Sequence, residues 1–462
     1  MAPVTDSPLK ALEGYVSSLG LDAYLVGGAV RDELLGRESK DADFLVPGLD
    51  SAGLQEALSP HGRVEELVVG GRPVGMRLYP KRREIRALAP AGIEFAPPRR
   101  ERSTGHGRHE FEIVVDPTAS VEDDLGRRDF TINAIARRLS DGAIVDPFDG
   151  RGDLERGALR TVSPESFAED PLRLVRGLRF VSQLGLEPDE ATLRQMRERA
   201  ALVAHVSGER IGGGLAADGM GELSKLLLGR APWRALLIAR DTGVLAALIP
   251  EFGPSIGFDS HSKDHALTVD EHIFLVVQHA ADAGAPLRVR LATLFHDLGK
   301  AVQGERPDHA EVGAELAEQA MRRLRYSNEL REQVVRIVRS HPFWLERGDA
   351  LEARRFLARH GDGLALDLLD HWEADLRGRD QSPAVVEKLE RVARYRQVVA
   401  AELTSPHRLA DLAVDGGDLL ELGYTPGPAL GQALAALLGE VVDDPERNRR
   451  ELLLERALEL RP

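Results

Sequence analysis

The chain has 462 residues, of which 43% are apolar, 29% charged and 5% aromatic, with no cysteine and a formal net charge of −15. That length exceeds one compact core and predicts two to four domains. The charge excludes a uniformly basic nucleic-acid coat, and the lack of cysteine excludes disulfides, thiolate zinc sites and thiol catalysis. No apolar run reaches the length of a membrane span. The N-terminal stretch lacks a basic flank before an apolar segment. A cytoplasmic protein without a membrane partner is therefore expected. Basic residues are 53 Arg against seven Lys. They cluster at 80–86, 97–109 and 127–130, where a local basic groove suits bidentate contacts to phosphates and base edges.

In chain order, residues 1–20 carry Leu9, Leu12, Tyr15 and Leu19 at helical spacing. "AYLVGG" predicts a short strand ended by glycines, "AVRDELLG" one or two helical turns, and "DADFLV" a second strand. "VGMRLYP", "IEFAP" and "FEIVVDP" alternate as strands, and "GAIVDPFDGRGDL" as a strand and turn. The first ~150 residues read as a mixed α and β domain. From about residue 165 the apolar spacing is helical. The segment 250–267, rich in Gly, Pro, Ser and His, is the best internal boundary. "GYTPGPALG" breaks the helical pattern of 385–462.

Asp41 and Asp43 stand at i and i+2 on a predicted strand, so alternation puts both carboxylates on one face. Such a pair repels unless a cation neutralises it, and magnesium prefers hard oxygen ligands while retaining room for water and phosphate. The Gly27-Gly28 turn opens a short helix whose free N–H groups suit a phosphate tail, and Arg31 adds charge one turn later. Together these features point to phosphoryl or nucleotidyl transfer; either half alone is commonplace. Downstream, "EDDLGRRDFTINAIA" carries Arg127, Arg128, Asp129 and Asn133, and "EDPLRLVRGLRF" carries Asp170, Arg173, Arg176 and Arg179. On a helix, Asp170 and Arg173 would be neighbours at i and i+3, a carboxylate and a planar fork able to read a base edge.

The motifs "GGAVRDELLG" followed by "DAD", then "RRDFTINA" and "EDPLRLVRGLRF", resemble the class II tRNA nucleotidyltransferases, the CCA-adding enzymes and related poly(A) polymerases. The resemblance covers roughly residues 22–185. It implies an α+β N-terminal nucleotidyltransferase domain of polymerase β-like palm type, followed by all-α neck, HD and tail domains. Asp41 and Asp43 would be the catalytic, magnesium-binding carboxylates. Gly27, Gly28 and Arg31 would contact the nucleotide's phosphates. Arg128, Asp129 and Asn133 would line the ribose and triphosphate, Asp170 and Arg173 would select CTP and then ATP, and Arg176 and Arg179 would add nucleotide contacts. Glu94 matches an acidic position near the catalytic face.

A second constellation lies mid-chain: His272, the adjacent His296-Asp297 and the distant Asp375, with His309 and His341 able to extend the set to two metals. "FHDLGK" breaks an apolar run with two metal-competent groups. "HDLGK", "HAEVGAELA" and "EADLRG" resemble the HD phosphohydrolase superfamily over roughly 260–380. This implies metal-dependent phosphatase or cyclic phosphodiesterase chemistry on a second divalent metal. The tail resembles the C-terminal helical part of HD-containing CCA-adding enzymes. The expected division is 1–160 catalytic head, 161–252 nucleotide-selecting neck, 253–380 HD domain and 381–462 tRNA-contacting tail. The expected activity is transfer of CMP, CMP and AMP from CTP and ATP to the tRNA 3′ end, with the acceptor arm as partner. A partial CC- or A-adding enzyme, a poly(A) polymerase, an HD hydrolase with a vestigial transferase half, and a non-catalytic tRNA binder remain alternatives. Intact carboxylates oppose the last. The loop "RRERSTGHGRHEF" favours full or A-only addition, and the acidic tail opposes a poly(A) polymerase. Pro97-Pro98 interrupts the strand leading into that loop.

Overall fold

The computed structural model describes residues 8–39, 42–69, 72–103, 111–213, 219–260, 267–302, 304, 308–342 and 346–461. They form two compact units, one of residues up to 207 with 238–248, the other of 208–237 with 249 onward. Asp41 lies outside the described residues, as do residues 104–110 of the "RRERSTGHGRHEF" loop and 261–266 of the segment 250–267.

The first unit is built on a mixed sheet. Its strands are β1 (Tyr24–Val26), β2 (Asp43–Leu45), β3 (Gly62–Val69), β4 (Arg72–Pro80), β5 (Ile93–Ala96), β8 (Ala136–Arg138) and β9 (Ile144–Val145), in the order β3-β4-β5-β2-β1-β8-β9. β2 runs parallel to β5 and antiparallel to β1. The separate pair β6 (Arg99–Ser103) and β7 (Phe111–Val115) forms the arms of the loop expected at 99–111. Pro97-Pro98 separates β5 from β6, because proline cannot donate to a ladder and breaks the strand between two sheets.

Strand alternation sorts the sheet's two faces. Leu25, Phe44 and Phe95 are buried on one face beneath the helices Pro8–Ser17 and Ser51–Leu58, with the two phenyl rings stacked at 5.6 Å. Val26 and Leu45 look the other way, onto Val121, Leu125 and Ala134. The helix Val121–Leu125 starts at a capping box made by Ser120 and Asp123. The strand-and-turn reading of "GAIVDPFDGRGDL" covers only its first half, since residues Gly150–Arg156 are helical. The helix Leu172–Leu184 packs Phe180 edge-on against Phe130.

The second unit is helical. Val269–Asp282, Leu287–Phe295, His309–Arg323, Asn328–Ser340 and Asp362–Arg377 surround a polar centre described below. The tail has its own core of Leu419, Tyr424, Leu437, Val441 and Leu453, and the Tyr424 hydroxyl donates to the Ala457 carbonyl at 2.7 Å. Among the described residues no helix is long and apolar enough to cross a membrane.

Gly177 tests how tightly the first unit is packed. A Cβ there would lie 2.8 Å from Phe130 Cζ and 3.0 Å from Met196 Cε. Helix propensity favours Ala over Gly by about 1 kcal/mol, but overpacking a filled core costs about 1–3 kcal/mol. Gly177→Ala is therefore expected to lower the denaturant midpoint of this unit; a raised midpoint would contradict the packing described.

Candidate active site and metal centre

Strand register brings Val26, Asp43, Glu94 and Arg77 into one row across β1, β2, β5 and β4. Neighbours in register share a face. Asp43 is exposed at the first residue of β2, and with Glu94 it lines a cleft of about 600 Å³. Arg77 pairs with Glu94.

The wall of the cleft is a connected polar chain. Arg31, one turn into the helix Gly28–Leu34, donates from Nη1 to Asn133 Oδ1 at 2.7 Å and pairs with Asp32 at 2.7 Å. Asn133 Nδ2 donates to Asp129 Oδ1 at 2.9 Å, which also accepts from the Phe130 N–H at 2.8 Å. Arg176 Nε lies 2.8 Å from Asp129 Oδ2. Burial alone would raise the Asp129 carboxyl, but the Arg176 charge and the Asn133 and Phe130 donors outweigh it and hold the group below its ordinary value. Gly27, at φ 71°, lets the chain turn into the helix, and a Cβ there would collide with the Arg128 guanidinium.

A second carboxylate organises the arginines. Asp124 is 4% exposed and faces Arg128 at 3.5 Å and both Arg99 and Arg127 at 3.9 Å. Burial pushes the Arg99 guanidinium down from its ordinary value, against the pull of Asp124. Arg173 is clamped by Glu169 at 2.7 Å, the Arg127 carbonyl at 2.7 Å and the Ser166 hydroxyl at 3.1 Å. Arg179 lies 4.5 Å over the Phe180 ring, whose centroid is 5.2 Å from Arg31 Cζ. A carboxylate row thus faces an arginine-rich wall, the arrangement a cation and a polyphosphate would share.

In the second unit, His272 Nε2 lies 2.9 Å from Asp375 Oδ1 and 3.7 Å from Asp297 Oδ2. His296 Nε2 lies 3.3 Å from Asp297 Oδ2 and 3.7 Å from Asp375 Oδ1. The other oxygen of Asp297 faces His309 at 3.6 Å and His341 at 3.7 Å. Ligand atoms of His272, His296 and Asp375 fall within 4.8 Å of one another, as do those of Asp297, His309 and His341. Lys300 and Arg379 pair with Asp297 and Asp375 at 2.7 and 2.6 Å. Burial opposes charge on both carboxyls, yet the surrounding imidazoles and cations hold them well below their ordinary value. Burial also lowers His296, but the same two carboxylates overcome it and push its imidazole up to about 9. The pair demands a positive charge, which a protonated His296 or a metal cation supplies. The donors, imidazoles with two carboxylates, fit a divalent cation.

Comparison with known proteins agrees with this layout. Residues 23–160 match the family model described as the poly A polymerase head domain, residues 269–388 the HD domain, and residues 185–255 the "Probable RNA and SrmB- binding site of polymerase A". A multifunctional CCA protein of Alkalilimnicola ehrlichii is 37% identical over 383 residues, 78% of this chain and 84% of that protein. One from Chromobacterium violaceum is 37% identical over 384 residues, 78% and 85% of the two chains. This chain belongs to the CCA-adding nucleotidyltransferase family. The Bacillus stearothermophilus CCA-adding enzyme in complex with CTP superposes with a TM-score of 0.68 at 25% identity, covering 99% of this chain and 98% of that one. A Thermotoga maritima CCA-adding enzyme complexed with tRNA shares the fold, at TM-score 0.60 and 20% identity over 99% of this chain and 97% of that one.

Within this CCA-adding family member, the cleft gathers Gly28, Arg31, Asp43, Arg128, Asp129, Asn133, Asp170, Arg173, Arg176 and Arg179, with Gly27 in the turn beside Arg128. One expected placement changes. Asp170 is not on a helix with Arg173: it ends the short helix Ser166–Glu169 in an extended conformation, because Pro171 follows, and its Oδ1 accepts from the Leu172 N–H at 3.1 Å. Arg173 pairs with Glu169 at i and i+4. Sequence reasoning gave no role to Asp124, although it lies in the quoted motif "EDDLGRRDF". It also passed over His371, four residues before Asp375 and so on the same helix face.

Asp129 supplies a pH test. Its carboxyl is depressed on folding, so its stabilisation is present above the ordinary carboxylate range of about 3.9 and is lost as pH falls through the lower folded value. Removing the Arg176 charge leaves burial to raise the carboxyl. Arg176→Met should therefore lower the stability of the first unit most at neutral pH and by less as pH falls into the carboxylate range, read by denaturant unfolding at several pH values; a deficit that does not change with pH would contradict the pairing.

Proposed function

We propose that this chain builds the CCA end of tRNA, adding CMP, CMP and AMP from CTP and ATP. The observation carrying this reading is the row containing Asp43, set opposite the linked wall Arg31–Asn133–Asp129–Arg176 in one cleft. The relatives are named multifunctional CCA proteins, and the neighbour at 25% identity was captured with CTP.

In this reading Asp41 and Asp43 hold magnesium, which supplies Lewis acidity at the α-phosphate and lowers the pKa of the attacking hydroxyl. The Gly27-Gly28 turn with Arg31 and Arg128 binds the triphosphate. Asn133 and Asp129 seat the ribose. Asp170 and Arg173 present hydrogen-bond groups to the base edge, and Arg176 and Arg179 flank the nucleotide. The clamp on Arg173 fixes its fork before a nucleotide arrives, which is how a protein side chain selects a base without a nucleic-acid template. The acceptor arm of tRNA is held through shape and backbone, with 1–160 as head, 161–252 as neck and 381–462 as tail. The residues 253–380 form a divalent-metal phosphohydrolase centred on His272, His296, Asp297 and Asp375, with His309 and His341 completing a second metal position. A cytoplasmic location suits both activities.

Two experiments test the roles. Asp41→Ala and Asp43→Ala should each abolish nucleotide addition while tRNA affinity changes little; parallel loss of both would make the residues structural. Arg173→Ala should blur the choice between CTP and ATP more than it slows addition. A variant uniformly slow but still selective would remove the selection role.

A further inference from the structure

His371 is 1% exposed, and neither ring nitrogen has a hydrogen-bond partner. A buried polar group in that state costs stability that an apolar side chain would not, so a native fold that retains one needs a reason. Its surroundings offer one. His371 sits on the helix Asp362–Arg377, one turn before Asp375. Its ring centroid is 5.0 Å from that of His296 and 5.5 Å from that of His341, one residue from each half of the metal-competent cluster. His296 Nε2 is buried and faces Asp297 Oδ2 at 3.3 Å and Asp375 Oδ1 at 3.7 Å. Two unsatisfied ring nitrogens of His371 therefore sit beside the imidazole that faces Asp297 and Asp375.

We propose that His371 is a metal ligand of this centre, resting on the HD reading above. It raises the imidazoles around the two carboxylates from four to five. A donor set so rich in nitrogen favours borderline transition ions such as cobalt, nickel or zinc over magnesium, which prefers oxygen. The two metal-dependent sites of the chain then differ in kind: oxygen ligands in the head, mostly nitrogen ligands in the helical unit. The buried imidazole is destabilising in the metal-free protein and becomes satisfied when the ion binds.

The test uses the full-length chain in an Asp43→Ala background, which weakens cation binding in the head. The protein is stripped with a chelator and titrated with Co²⁺, following visible absorption, metal content and melting temperature. His371→Leu should weaken Co²⁺ binding at least tenfold and alter the ligand-field bands. It should also leave the metal-free melting temperature equal or higher, while shrinking the rise that Co²⁺ produces. A merely structural histidine would lower the metal-free melting temperature and leave the bands unchanged, which would overturn the proposal. If His371→Leu does not fold, His371→Gln is read in the same titration, with weakened binding supporting the proposal and unchanged affinity overturning it. Failure of the parent chain to bind Co²⁺ at all would overturn the HD reading itself, whereas equal binding by parent and variant removes only His371.

Discussion

The buried Asp129 carboxylate is the constraint around which the head cleft is arranged. A carboxylate taken out of water needs a counter-charge and donors for its lone pairs. Arg176 provides the charge, and the Asn133 amide and Phe130 N–H provide the donors. Meeting that demand orients Asn133, which in turn receives Arg31 from the helix after the glycine turn. One buried charge thereby ties the glycine turn of the sheet to the arginine helix Leu172–Leu184. Arg31, Asn133, Asp129 and Arg176 are held by this chain of contacts, while Arg173 is held separately by Glu169, Ser166 and the Arg127 carbonyl.

The helical unit meets a similar demand differently. Two buried carboxylates, Asp297 and Asp375, are each satisfied by one flexible cation and a ring of imidazoles. Arginines around a cleft hold an anion that comes and goes. Imidazoles packed around carboxylates suit a cation that stays. The difference in donor chemistry separates a nucleotide site from a metal centre more clearly than fold does, since helical bundles serve many functions.

Much of this was legible in the sequence, for identifiable reasons. The strand–turn–helix–strand unit around Gly27 shows because glycines end a short apolar run and aspartates begin the next. The mixed sheet followed by helices shows in the change from period 2 to period 3.6. β3 was missed because "GRVEELVV" carries two adjacent glutamates that blur its alternation, and its partner β4 was seen only in part. The break at Pro171 was misread as helix because the apolar spacing runs through it. Asp124 was overlooked because its role comes from three arginines, one of them 25 residues away on β6, and no local pattern reports that. His371 escaped for a similar reason: what singles it out is the lack of a partner in a buried setting.

The measurement that bears most directly on the account is incorporation on a tRNA transcript lacking its 3′ CCA, given magnesium with CTP alone, ATP alone, or both. Two additions of C with CTP alone, one further A only when ATP is also present, and then a stop would match the cleft and its clamped arginine. No addition under any of these conditions would contradict the reading of the head cleft as a nucleotidyl-transfer site.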